Sequence, residues 1–384
     1  MDYKIISADG HMDLFYLPPD TFTSRAPTRL KDRVPHVVDI KEKPMWVGDG
    51  AVMGGYQAWM GRGGTTAFSD TSYRGQRMSD AGWDPTHPSN PKLRLGDLDI
   101  DGIEAEVIYG IRFVEDSIKE ADVITATYRA YNDFIAEFCS HNPQRLIGIG
   151  DIPAHSVVAA AEEIRRIGRG GLGLRGALFD WFNAPQPIWH SMWEPMWAAA
   201  EEFDVVLAFH IGAGHGTTTC GPTTVEEKLN RNIPKASMAA HQVVAAMQAD
   251  ECLASIVLCG ALERHPGVKV VMAESHIGWI PYLLTRMDSK YKEGRHTGLI
   301  HMLPSELFRR QMWATFQDDE VGVRLAEDYA PDSFCWASDY PHSDGVWPDS
   351  QHCIRETMQK ISKEARKKLT HDNVVRMFNL EWLQ

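Results

Sequence analysis

The chain is predicted to fold as one (β/α)8 TIM barrel, an α/β architecture, with a long lid-like insertion after the first strand. Three observations carry this expectation. Short apolar runs of strand length alternate with longer segments of helical period, the pattern of a parallel sheet covered by helices. Eight such runs occur, the number that closes a barrel. Several end abruptly on carboxylate or imidazole residues, as expected where strand ends carry an active site. A doubly wound open sheet is the rival, but no Gly-rich phosphate loop follows the first strand.

The strand candidates are residues 5–8, 105–109, 146–151, 174–179, 205–209, 268–273, 312–316 and 334–338. Among the helices, residues 121–140 set Val123, Ile124, Tyr128, Tyr131, Phe134, Ile135 and Phe138 on one stripe. Residues 156–167 place Glu162 and Glu163 within a turn of Arg166. Further helices are expected over 193–203, 236–264, 280–291, 320–328 and 349–361, with Trp193 and Trp197 packing the first of these onto the barrel. Residues 14–94 are too many for an ordinary connection and are rich in Gly, Pro, Trp and Arg. They are expected to cover the barrel mouth as a lid, which leaves residues 1–384 as a single domain.

Lys and Arg number 39 against 52 Asp and Glu, a net charge of −13 that repels phosphate backbones and anionic lipid. Nucleic acid and membrane are therefore not expected partners, and a small-molecule substrate is. The first residues hold no basic, apolar leader and no long uncharged apolar stretch follows, so a cytoplasmic protein is expected. Six cysteines are scattered without a CxxC pair and are expected as buried free thiols. The charged run 363–368 is expected on a solvated helical face.

The first strand ends on Asp9-Gly-His11, two titratable side chains at a spacing that projects both to one side of an extended backbone. The glycine between them is read as room for a close approach. The fifth strand ends on His210 before a Gly-rich turn, the sixth on Glu274-Ser-His276, and the eighth on Asp339 with His342 just beyond. Any one of these is unremarkable. Together, at one end of a barrel, imidazole and carboxylate groups form a set suited to zinc, manganese or ferrous iron.

Ala8-Asp-Gly-His11, Leu98-Asp-Ile-Asp-Gly-Ile103, Ala208-Phe-His-Ile-Gly212, Glu274-Ser-His-Ile-Gly-Trp-Ile-Pro281 with Arg286-Met-Asp288, Ser338-Asp-Tyr-Pro-His342 and Asn373-Val-Val-Arg-Met-Phe378 resemble the amidohydrolase-related family. This branch contains aminocarboxymuconate semialdehyde decarboxylase and the γ-resorcylate-type decarboxylases. The resemblance implies that Asp9, His11, His210 and Asp339 hold a divalent metal ion, that His276 binds or orients water or substrate, and that Asp339 also shuttles a proton. Asp9 stands where the HxH form has histidine, which shifts the expected metal from zinc toward manganese or iron. The fourth strand lacks lysine, so a single ion is expected, with Glu274 and a further histidine available for a second.

Such a site supports hydrolysis or non-oxidative decarboxylation of a small carboxylic acid. An iron- or manganese-dependent oxygenase, and a metal-binding subunit that partners an active relative, stay open as alternatives. Trp181, Trp279 and Trp347 suggest an apolar pocket, and Arg112 and His342 are candidates to hold the substrate. Arg74, His215 and His241 have no motif to place them. A homodimer is the family's expectation, with a related partner chain left open.

Overall fold

The computed structural model describes residues 3–57, 73–112, 114–211, 243–295, 298–342 and 345–383. Eight parallel strands run in the order β1 (Ile6–His11), β5 (Ala105–Tyr109), β6 (Leu146–Ile152), β7 (Gly176–Phe179), β8 (Val206–His210), β9 (Val270–Ala273), β10 (Met312–Phe316) and β11 (Phe334–Trp336). Each expected strand is present, those over 105–109 and 312–316 with the expected bounds and the rest with ends shifted by at most three residues. Every residue of these strands is buried, as befits parallel strands covered on both faces. Side chains alternate between two cores. Val206 and Ala208 pack inside with Val107, Ile149 and Val271, while Leu207 and Phe209 pack outward against the helices.

β1 and β11 close the circle, which disposes of the open-sheet alternative. Gly10 bridges Tyr340 in parallel, the Asp339 amide donates to the Asp9 carbonyl at 3.0 Å, and the His11 amide donates to the Tyr340 carbonyl at 2.6 Å. Ser7 Oγ accepts from the Ser338 amide at 2.9 Å and lies 3.0 Å from Ser338 Oγ. The seam thus ties residue 9 to residue 339. At the opposite end, the helix Asn373–Phe378 turns Val374, Met377 and Phe378 into the inner core, and Asn373 Nδ2 donates to the Phe334 carbonyl.

The helix Ala121–Ser140 buries the whole expected stripe. Ser156 caps Val157–Ile167 by accepting from the Ala159 amide, and Trp193 and Trp197 are buried as expected. The long helix expected over 236–264 is corrected. Its described part is broken into Asp250–Leu258 and Ala261–Arg264, because Gly260 adopts φ +78°, a left-handed conformation that ends a helix.

Within the insertion, β2 (His36–Ile40), β3 (Lys43–Gly48) and β4 (Ala51–Gly55) form an antiparallel sheet that sequence reasoning missed. The signal was present: Asp49-Gly50 joins β3 to β4 with φ +49° and +81°, the left-handed pair that a tight hairpin turn requires. Phe22, Leu30, Val34 and Trp46 of the insertion join the main core. Met78 and Trp83 pack on Tyr340 and Trp347, immediately past Asp339.

Gly10 has a different reason from the one expected. A Cβ there would lie 2.1 Å from Glu106 Oε1, so the glycine admits a buried carboxyl of β5 rather than a ligand. Gly10→Ala is expected to cost about 1–3 kcal/mol through overpacking, seen as a lowered thermal midpoint. An unchanged midpoint would contradict that packing.

Candidate metal centre and active site

Asp9, His11, Asp339, His210 and Glu274 converge at the carboxyl ends of β1, β8, β9 and β11. His11 Nε2 lies 3.1 Å from Asp339 Oδ1 and 3.4 Å from Asp9 Oδ1. His210 Nε2 lies 3.7 Å from Asp9 Oδ2 and 3.5 Å from Glu274 Oε2. Ligand-type atoms fall into two overlapping groups that share His11: Asp9, His11 and His210, and His11, Glu274, Asp339 and His342. Asp9, His11, His210 and Asp339 are buried, and Glu274 keeps 16% of its side chain exposed.

Several of these atoms lack a well-formed hydrogen bond within the protein. Asp9 Oδ1, both nitrogens of His11, His210 Nε2 and both carboxylate oxygens of Asp339 are buried without hydrogen bonds of good geometry. So many orphaned donors and acceptors facing one another are costly unless something else satisfies them. Electrostatics agree. Burial pushes the Asp9 carboxyl up to about 7 against the opposing hydrogen bond from Thr315, and burial with the Asp339 charge pushes Glu274 up to about 7. Asp339 is raised by burial too. Burial lowers His11 well below its usual value, and burial with the Arg112 charge lowers His210 to about 3. Neutral His11 and His210 facing the carboxyls of Asp9, Glu274 and Asp339 are what a divalent cation would complete. The donor set, two imidazoles with oxygen ligands, fits manganese or ferrous iron.

Supporting groups aim the ligands. His210 Nδ1 lies 2.7 Å from the Ile211 carbonyl, which also accepts from Arg112 Nη1 at 2.8 Å. Assigning the Nδ1 proton to that carbonyl leaves Nε2 with its lone pair toward the cluster. Thr315 Oγ1 accepts from the Glu274 amide at 2.7 Å and donates to Asp9 Oδ2 at 3.1 Å. Thr315→Val is expected to weaken metal binding about 10–100-fold in a competition assay with a metal-binding dye. Affinity equal to that of the unaltered protein would remove Thr315 from the site.

Sequence reasoning also missed Asp13. His342 Nε2 lies 2.8 Å from Asp13 Oδ2 and its Nδ1 lies 3.1 Å from Asp339 Oδ1, while its ring stacks on His11 at 3.9 Å. Burial alone would lower the imidazole, but the Asp339 and Asp13 charges hold it well above its usual value. His342, expected at the substrate, is therefore held inside the carboxylate cluster.

His276 falls in neither ligand group among the described residues. Glu274 and His276 have φ of +54° and +48°, so the same-side rule for extended chains does not apply to this pair. Asp339 is likewise left-handed, at φ +55°. Three such residues at the mouth mark backbone held in an unfavourable conformation by its surroundings.

Arg112, besides its bond to Ile211, approaches Glu274 Oε2 at 3.8 Å, so it lies against the candidate ligands rather than free at the mouth of the barrel. Trp181 stacks on Phe182 and lines a pocket with Arg112 and His210. Trp279 donates to the Ser275 carbonyl of its own loop, and Trp347 donates to the Asp97 carbonyl. Neither of these two indoles lines that pocket. His215, His241 and the side chain of Arg74 lie outside the described residues. Five cysteines are free thiols, three of them buried, and Cys220 lies outside the described residues. Among the described residues no helix is long and apolar enough to cross a membrane.

Comparison with known proteins bears on this geometry. A family model described as amidohydrolase matches residues 74–380. A γ-resorcylate decarboxylase of Rhodococcus jostii is 27% identical over 217 residues, which cover 52% of this chain and 59% of that protein. The match thus spans a little over half the relative's length. An amidohydrolase structure from Mycobacterium avium subsp. paratuberculosis superposes with a TM-score of 0.73 at 19% identity, covering 98% of this chain and 100% of that one. The 5-carboxyvanillate decarboxylase of Novosphingobium aromaticivorans, solved with manganese and 4-hydroxy-3-methoxy-5-nitrobenzoic acid, superposes with a TM-score of 0.65 at 16% identity, covering 98% and 96%.

Proposed function

Since the chain belongs to the amidohydrolase family, we propose that it is a metal-dependent, non-oxidative decarboxylase of small aromatic carboxylic acids. The observation that carries this reading is the set of unpartnered buried atoms on Asp9, His11, His210 and Asp339. The decarboxylase activity of the Rhodococcus relative and the manganese and aromatic acid in the Novosphingobium structure support it. Manganese or ferrous iron is the proposed ion, held by those four residues with Glu274 beside them.

When bound, such an ion polarises a substrate carboxylate and a neighbouring oxygen. The reaction replaces a ring carbon–carboxylate bond with a carbon–hydrogen bond. A proton adds to the ring carbon, the electron pair of the broken bond restores the aromatic ring, and carbon dioxide leaves. Asp339 delivers that proton. His342 Nδ1, 3.1 Å from Asp339 Oδ1, returns one to it, and Asp13 steadies the imidazole from the far side. Neutral His11 and His210 do not compete for the proton. The insertion is proposed as a lid that keeps water out, supported by the packing of Met78 and Trp83 on Tyr340 and Trp347.

The test is metal analysis joined to a product assay. Purified protein is expected to carry manganese or iron, to release carbon dioxide from 2,6-dihydroxybenzoate, to lose that activity on chelation and to regain it with manganese. Manganese at 100 times its dissociation constant should stabilise the fold by about 2.7 kcal/mol. Full turnover after chelation would overturn the reading. Consumption of dioxygen, or hydrolysis without release of carbon dioxide, would replace it with another of the reactions the sequence left open.

A further inference from the structure

Asp151 is the penultimate residue of β6, and nothing in the chemistry above uses it. Its backbone is clamped by Asn132, whose Oδ1 accepts from the Asp151 amide at 2.7 Å and whose Nδ2 donates to the Asp151 carbonyl at 2.9 Å. The residue is 3% exposed. Its carboxyl accepts from the Ile111 amide, but Oδ2 has no partner in the protein. The sequence makes room for this group, since a Cβ at Gly110 would lie 1.8 Å from Asp151 Oδ2.

Buried polar atoms are satisfied in native structures, so a carboxyl oxygen left alone beside Gly110 calls for a partner. Asp151 lines a void of about 20 Å³ together with Arg112, Tyr128, Leu178, Trp181 and His210. That volume holds one water or one substituent oxygen. His210 is also a proposed metal ligand, so the void adjoins the place where the carboxylate of a substrate would be held. The aromatic walls suit the flank of a ring.

The chemistry of Asp151 narrows the visitor further. Burial, with the Asp180 charge adding to it, pushes the carboxyl well above its ordinary range, which favours its protonated form. A neutral carboxyl both donates to and accepts from a hydroxyl.

Resting on the function proposed above, we propose that Asp151 is a specificity-determining residue that hydrogen-bonds a hydroxyl substituent on the ring of the aromatic acid substrate. The enzyme would thereby prefer acids that carry a second ring hydroxyl beyond the one next to the carboxylate. Substrates without it would leave Asp151 Oδ2 unsatisfied.

Titration calorimetry on the manganese-loaded protein tests this, with 2-hydroxybenzoate and the set of dihydroxybenzoates as probes. The unaltered protein is expected to bind at least one dihydroxybenzoate about 10-fold or more tighter than 2-hydroxybenzoate. Asp151→Leu should bring that ratio close to unity with 2-hydroxybenzoate affinity little changed. Asp151→Asn, which keeps a donor and an acceptor in the same volume, should retain the ratio. Gly110→Ala, which displaces the carboxyl while leaving it chemically intact, should abolish it and serves as a second variant if Asp151→Leu does not fold. The ratio is read because a merely structural role for Asp151 would change both affinities together. A ratio near unity in the unaltered protein, or one preserved in Asp151→Leu or Gly110→Ala, overturns the subsite and leaves the proposed function standing. Binding of none of the probes overturns the proposed function and the subsite with it.

Discussion

Asp339→Asn is expected to lower the decarboxylation rate by about 10²–10⁴-fold, the range attributable to a positioned proton-transfer group. Asparagine keeps the volume of a fully buried residue and so leaves the seam between β1 and β11 intact, where the backbone amide of residue 339 bonds the Asp9 carbonyl. What it removes is the acid. The carboxyl stands 3.1 Å from both His11 Nε2 and His342 Nδ1, and an amide can neither take a proton from His342 and pass it to the ring carbon nor lend a negative charge to a cation. Metal content measured on the same preparation, in excess manganese, separates the two losses. A metal-replete Asp339→Asn enzyme that turns over within threefold of the unaltered one would refute the proton-transfer role.

Arg94→Met is expected to destabilise the fold by about 3–5 kcal/mol, the cost of stranding one member of a buried ion pair. Arg94 and Glu106 are both fully buried, with Nε 2.7 Å from Oε2, and Arg94 Nη1 also donates to the His11 carbonyl at 2.8 Å. Removing the guanidinium leaves the Glu106 carboxylate beneath Gly10 with no countercharge. Burial already raises Glu106 despite the Arg94 charge, and without Arg94 it rises further. A carboxyl raised on folding costs stability as pH climbs from its unfolded toward its folded value. The deficit should therefore be larger at neutral than at acid pH. Denaturant unfolding of Arg94→Met, Glu106→Gln and the double variant measures the coupling. If the double variant is no more stable than Arg94→Met alone, the ion pair is not the cause.

Glu106 also shows what a closer reading of the sequence would have found. A charged residue in the second position of the run Ala-Glu-Val-Ile-Tyr is out of place in a strand buried on both faces, and so it signals a buried partner. The identity of that partner, twelve residues earlier at the end of the insertion, was not legible. Thr315 and Asp13 are similar. Each is an ordinary residue in its own segment and acquires a role only by lying against a strand end from a distant part of the chain.

Strand ends and hairpin turns depend on a few neighbouring residues, which is why the eight barrel strands, the Asp9–His11 pair, His210 and Asp339 could be read in advance. Alternation of apolar side chains and an abrupt change to a titratable group are local signals. The choice between Glu274 and His276 was not local in that sense. Extended geometry would send both the same way, but the chain beyond β9 turns left-handed at both residues, and Glu274 joins the cluster while His276 does not. Likewise, no pattern near residue 342 indicates that His342 is clamped between Asp13 and Asp339. A barrel with carboxylate and imidazole groups at its strand ends is legible along the chain, because period and polarity act over a few residues. Which of those groups meet is set by closure of β1 against β11 and by the folding of the insertion back onto that seam, which fix distances between residues hundreds of positions apart.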